Sequence, residues 1–143
     1  MAVLTDIIIA HPADALAIIA EWPTHKRWPA LETSGIDWLV LSDLVLALRQ
    51  PALSRSIDEQ SPMVSVDETD GPWLYLLPSD LRDLMASIGP VDMPAVAKAW
   101  ANGAEAVNRG LTEDVAKSLL VEIQKLAVRA RLENKPMLLW ISM

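Results

Sequence analysis

Met137-Leu138-Leu139-Trp140-Ile141-Ser142-Met143 is a short, almost unbroken apolar run, bounded upstream by Asn134-Lys135-Pro136. A run of this length and make-up reads as a strand, and left exposed it would template aggregation. It therefore needs strand neighbours inside the same fold. Val3-Leu4-Thr5-Asp6-Ile7-Ile8-Ile9-Ala10 offers one at the other end of the chain: apolar, rich in β-branched residues and closed by His11-Pro12. A sheet that takes in both ends leaves little room for two separate cores. The expected fold is a single α+β domain over residues 1–143. It has a small mixed sheet of about four strands covered by about five helices.

The intervening sequence is mostly helical in period. Pro12 suits the first turn of a helix that carries Ala15, Ile18, Ile19 and Trp22. Pro23 stops it, and residues 23–35 read as a loop with a Ser34-Gly35 turn. Ile36–Leu41 is open between strand and helix. From Ser42, a plausible N-cap, Leu44, Val45 and Leu48 trace a helix that Gln50-Pro51 closes. Residues 51–62 are polar and Pro-flanked. Met63–Val66 and Trp73–Leu77 read as two strands joined by the acidic turn Asp67-Glu68-Thr69-Asp70-Gly71-Pro72.

Pro78 opens a helix with Leu81, Leu84, Met85 and Ile88 inward and Gly89 as its C′ residue. Asp92 caps the next, with Ala95, Val96, Ala99 and Trp100 in phase. Asn108-Arg109-Gly110 is a turn. Thr112 then caps a long helix reaching about Glu133, with Val115, Leu119, Ile123, Leu126 and Ala130 on one stripe. At 1.5 Å per residue it is a rod of about 32 Å, long enough to cross a small domain.

Composition narrows the function classes. The apolar share of 52% is ample for a core, and a chain of this size can bury roughly 70% of its unfolded surface. The absence of cysteine excludes disulfides, thiolate metal sites and thiol catalysis. No run approaches the roughly 18 apolar residues of a membrane span, and the N-terminus lacks the basic region of a secretory signal. A cytoplasmic protein without membrane contact is expected. The net charge of −7 falls entirely on residues 1–75, with eleven acids against four bases, while residues 76–143 balance at eight and eight. Such a surface repels phosphate backbones, so nucleic acid is not an expected partner. A basic protein could be attracted by the acidic half.

Chemistry-bearing residues are sparse: six tryptophans, two histidines, one tyrosine and no phenylalanine. One segment gathers cations, an imidazole and two indoles: Glu21-Trp22-Pro23-Thr24-His25-Lys26-Arg27-Trp28-Pro29. As a site, His25 would serve as acid–base group, Lys26 and Arg27 would bind an anion, and Trp22 and Trp28 would wall the pocket, with His11 close in sequence. As plain structure, it is a loop pinned to the body by its tryptophans, and His11 simply ends a strand. Asp67, Glu68 and Asp70 are the second cluster. They lack the bidentate Glu a calcium loop needs at its twelfth position, where this chain has Pro78. No serine sits in a Gly-x-Ser-x-Gly elbow, and there is no His-Glu-x-x-His, phosphate-binding or dinucleotide motif. No cofactor or metal is expected. Trp38, Trp73, Trp100 and Trp140 read as core residues standing in for phenylalanine.

From Gly35 onward the order of elements resembles the YfbM-like family of bacterial proteins. The residues that carry the resemblance are Ile36-Asp37-Trp38-Leu39 leading into Leu41-Ser42-Asp43-Leu44, then Pro51-Ala52-Leu53-Ser54. Gly71-Pro72-Trp73-Leu74-Tyr75-Leu76-Leu77-Pro78-Ser79-Asp80-Leu81 follows, then the long helix and the apolar terminal strand. The resemblance implies an α+β fold and a bacterial cytoplasmic setting, and supplies no site. Two functional expectations result. The first is a non-catalytic protein-interaction domain using its acidic N-terminal half. The alternative is a small anionic-ligand-binding protein or weak enzyme, with a pocket formed by His11, Trp22, His25, Lys26, Arg27 and Trp28.

Overall fold

The structure, a computed structural model, describes residues 3–21, 27–67, 69 and 71–143. Its frame is a five-stranded sheet in the order β2-β1-β5-β4-β3. The strands are β1 (Leu4–Ile9), β2 (Ala30–Ser34), β3 (Val64–Ser65), β4 (Trp73–Leu76) and β5 (Met137–Ser142). Every pairing is antiparallel, so the sheet is not mixed. The terminal strand β5 is the middle strand, in register with β1 from Ile9↔Met137 to Leu4↔Ser142 and with β4 from Leu76↔Leu138 to Trp73↔Ile141. That explains its continuous apolar run. Side chains alternate between faces, and here both faces are covered.

One face carries Thr5, Ile7 and Ile9 of β1, Met137, Leu139 and Ile141 of β5, and Trp73 and Tyr75 of β4. It packs into the main core with the larger helices. The other presents Ile8, Leu138, Trp140 and Leu74 to a smaller cluster with Ala15, Ile18 and Trp28. The helices among the described residues are α1 (Ala15–Ala20), α2 (Trp38–Ala47), α3 (Pro51–Asp58), α4 (Ser79–Ala86), α5 (Met93–Ala101), α6 (Ala104–Asn108) and α7 (Glu113–Leu132), with a 3-10 turn over Pro12–Asp14.

Several expectations need correction. Residues 30–34 form edge strand β2, not loop; only Leu31 of this strand joins the main core, so its apolar alternation is faint. Helix α2 begins at Trp38, because Asp37 rather than Ser42 is its N-cap: Val40 N–H donates to Asp37 Oδ1 at 2.9 Å. Ser42 is buried inside the helix, its hydroxyl 2.6 Å from that of Ser54 on α3. Residues 51–58 are helical despite their polarity, since only Ser54 and Ile57 are buried.

In α4 the buried set is Leu81, Met85 and Ala86, with Leu84 only partly covered, and the helix ends at Ala86 without a left-handed Gly89. The capping residue Asp92 starts α5 without a side-chain hydrogen bond, and Ala95 and Ala99 face out. The stripe of α7 keeps Ile123 and Ala130 of the expected set, leaves Leu119 and Leu126 at its partly buried margin, and is otherwise shifted by one residue. Ala116, Leu120, Ile123, Ala127 and Ala130 face inward, and Val115 is 50% exposed. Three alanines on this face let α7 approach its neighbours closely, which a leucine-led reading overlooks. Thr112 caps α7 as expected, accepting from Val115 N–H at 3.3 Å.

Candidate functional site

A recess of about 240 Å³ opens where the start of α2 meets the ends of β4 and β5. Asp37, Trp38, Trp73, Tyr75 and Arg109 line it, with Leu39 and Met143 at half-exposed positions. Strand alternation places Trp73 and Tyr75 on the same face of β4. The Tyr75 ring stacks on Trp38, centroids 4.4 Å apart and planes 14° from parallel. Trp38 is itself fixed, its indole N–H donating to the Ile57 carbonyl. Trp73 closes over the turn before it: a Cβ on Gly71 would lie 2.7 Å from the Trp73 ring. Gly71 also holds a φ of +78°, which glycine adopts without penalty.

The polar side of the recess comes from two distant segments. Asp37 spends Oδ1 on the α2 N-terminus and accepts at Oδ2 from Arg109 Nη2 at 2.5 Å. Arg109 stands directly after α6, and α6 is held in place by α2. Asp43 Oδ2 accepts from Glu105 N–H at 2.9 Å and from Ala106 N–H at 3.0 Å. Only a glycine fits at position 103, where a Cβ would sit 2.5 Å from Asp43 Oδ2. Helix α6 is thus clamped to α2 at both ends. Burial, and then the negative charge of Asp37, hold the Tyr75 hydroxyl above the ordinary phenol range, so it stays a neutral donor at physiological pH.

Among solved structures, the chain matches the crystal structure of YfbM, a protein of unknown function from Escherichia coli. The TM-score is 0.50 at 14% sequence identity, over 98% of this chain and 99% of the YfbM chain. The chain has a YfbM-like fold. At this identity the likeness extends to the fold and carries no site. No family model matches the sequence, and no curated protein matches it.

The structure describes three of the six residues of the expected loop site, His11, Arg27 and Trp28. Trp22, His25 and Lys26 lie outside the described residues. Arg27 is committed locally: Nη1 donates to Glu21 Oε2 at 2.6 Å, and its guanidinium lies 4.6 Å from the Trp28 ring centroid. Trp28 is half-buried against the smaller cluster. His11 is exposed, and its carbonyl accepts from Asp14 N–H at 2.9 Å, the first bond of the 3-10 turn.

Asp67 folds back on its own turn, accepting from Thr69 N–H at 2.7 Å, while Glu68 and Asp70 lie outside the described residues. No group of three or more metal-ligating side chains assembles among the described residues, and no described helix is long and apolar enough to cross a membrane. Trp100 and Trp140 are core residues as expected. The main residue missed was Arg109, which reads as part of a turn and gives no hint of a partner 72 positions away. The detectable signal was Asp37 beside Trp38 at a helix start.

Proposed function

We propose that the protein binds a small ligand in the recess of Asp37, Trp38, Trp73, Tyr75 and Arg109, in preference to the Trp22–Trp28 loop. The observation that carries this reading is one concave space with an aromatic wall and a few convergent polar groups, the usual composition of a ligand site. A larger groove of about 460 Å³ lies among α2, α4 and α5, but alanines and aliphatic side chains dominate it. The recess couples ring surface to a guanidinium fixed by Asp37, at a concave place in the fold.

The test is a fragment titration of isotope-labelled protein, following the indole and backbone N–H signals of residues 37–39, 73–76 and 109. Fragments should shift these signals in the wild type and lose affinity in Trp73→Leu, while His25→Ala and Arg27→Ala bind as the wild type does. Shifts confined to the loop signals, or none at all, would reject the recess.

The interaction reading has its own support. Asp58, Glu59 and Asp67 are exposed and flank the short edge strand β3 in sequence. Exposed carboxylates of this kind suit a basic protein partner. A stoichiometric partner from the native cell, released by salt and lost in the combined Asp58→Asn, Glu59→Gln, Asp67→Asn variant, would favour it. Binding insensitive to these substitutions would count against it.

A further inference from the structure

The lining of the recess also constrains the class of ligand, an inference that depends on the recess being the binding site. Both oxygens of Asp37 are occupied, one by the α2 N-terminus and one by Arg109. Asp37, the acidic side chain of the wall, is therefore already partnered at each oxygen. The groups left over are donors. Arg109 uses Nη2 on Asp37, and its remaining N–H groups have no hydrogen-bond partner among the described residues. The Tyr75 ring is stacked, yet its hydroxyl has no partner among the described residues either. A guanidinium held on one side and open on the other suits a planar two-oxygen acceptor. Trp73 and Tyr75 offer ring surface beside it, and about 240 Å³ falls below the range of drug-sized sites, which points to a single ring.

We propose that the recess binds a single-ring aromatic carboxylate, its ring against Trp73 and its carboxylate accepting from Arg109 and the Tyr75 hydroxyl. Asp37 acts as a positioning residue that aims Arg109. Arg109 and the positive end of α2 offset part of the ligand's repulsion by Asp37.

The experiment titrates the full chain with benzoate, benzamide and cyclohexanecarboxylate, reading the same indole and backbone signals. Benzoate should bind best. Tyr75→Phe and Arg109→Gln should each weaken it about tenfold or more, the effect of losing a hydrogen bond to a charged group. Arg109→Lys, which keeps the charge and loses the fork, should fall between. Melting curves confirm that each variant is folded, and Tyr75→Phe decides the matter if Arg109→Gln is not. Benzamide binding as well as benzoate, or benzoate binding untouched by both variants, overturns the carboxylate assignment and leaves the recess as a ring pocket. If these three compounds fail while other fragments shift the recess signals, the ligand class is wrong and the binding reading stands. If no compound shifts them, both fall.

Discussion

Tyr75 is the only tyrosine in the chain, which makes its chemistry directly readable. Burial and Asp37 raise its pKa in the folded state. The unfolded phenol loses its proton near pH 10. Below that value both states hold the proton and the full stability is present. Above it the unfolded state ionises first, so stability falls as pH rises through the folded pKa. The phenolate absorbance should therefore titrate at a higher midpoint in native protein than in urea. Asp37→Asn should bring the native midpoint down without abolishing the shift, because burial is the larger cause. Equal midpoints in the native and urea-unfolded wild type would place the hydroxyl in open water and remove it from the recess.

Gly71 is the second residue with a decisive local role. Alanine there meets two obstacles at once, the +78° φ and the Trp73 ring at 2.7 Å. Strain of this kind costs about 1–3 kcal/mol. Gly71→Ala should lower the urea midpoint and also displace the Trp73 indole signal, because the ring must move away from the turn. A stability loss with an unmoved Trp73 signal would mean that the backbone alone takes up the change.

At the scale of elements, the shortest helix organises the site. Helix α6 spans only Ala104–Asn108 and cannot hold itself in water. Asp43 supplies its first-turn acceptor from across the core, and Arg109 ties its far end to Asp37. Asp43→Ala removes two charge-assisted bonds and should cost about 1–3 kcal/mol. It should also loosen Arg109, so recess ligands should bind more weakly although residue 43 does not line the recess. Urea unfolding and the fragment titration check the two effects separately. Retained affinity in a destabilised variant would show that Arg109 is held by Asp37 alone.

The same elements show what a sequence reader can see. Strand β5, strand β1 and the cap at Thr112 are legible because their signals are local: a continuous apolar run, β-branched content, a Thr before an acidic first turn. Strand β2 and helix α3 are not, because each buries too few side chains to print a period. Helix α7 printed the right length with its face turned slightly, since its inward alanines weigh little beside the leucines that flank them. The recess was hidden for a different reason. Asp37, Trp38, Tyr75 and Arg109 come from three segments that only the antiparallel register and the Asp43 clamp bring together.

Across the whole molecule, β5 is the common support. It lies between β1 and β4, contributes Leu139 and Ile141 to the larger core and Leu138 and Trp140 to the smaller, and backs the strand that carries Trp73 and Tyr75. The two clusters share β1, β4 and β5 and should lose structure together, while β3, with two residues at the sheet edge, has little to hold it. Native-state hydrogen exchange should place the β1 and β5 amides at the global unfolding free energy and release those of β3 and α1 well before them. Leu139→Ala, which opens a cavity where the β5 and β4 side chains meet, should cost about 2–5 kcal/mol. It should lower the β1 and β5 protection by the same amount. If β5 protection fell while β1 protection stayed high, the sheet would not unfold as one cooperative unit, and the recess would rest on the β4–β5 side of it alone.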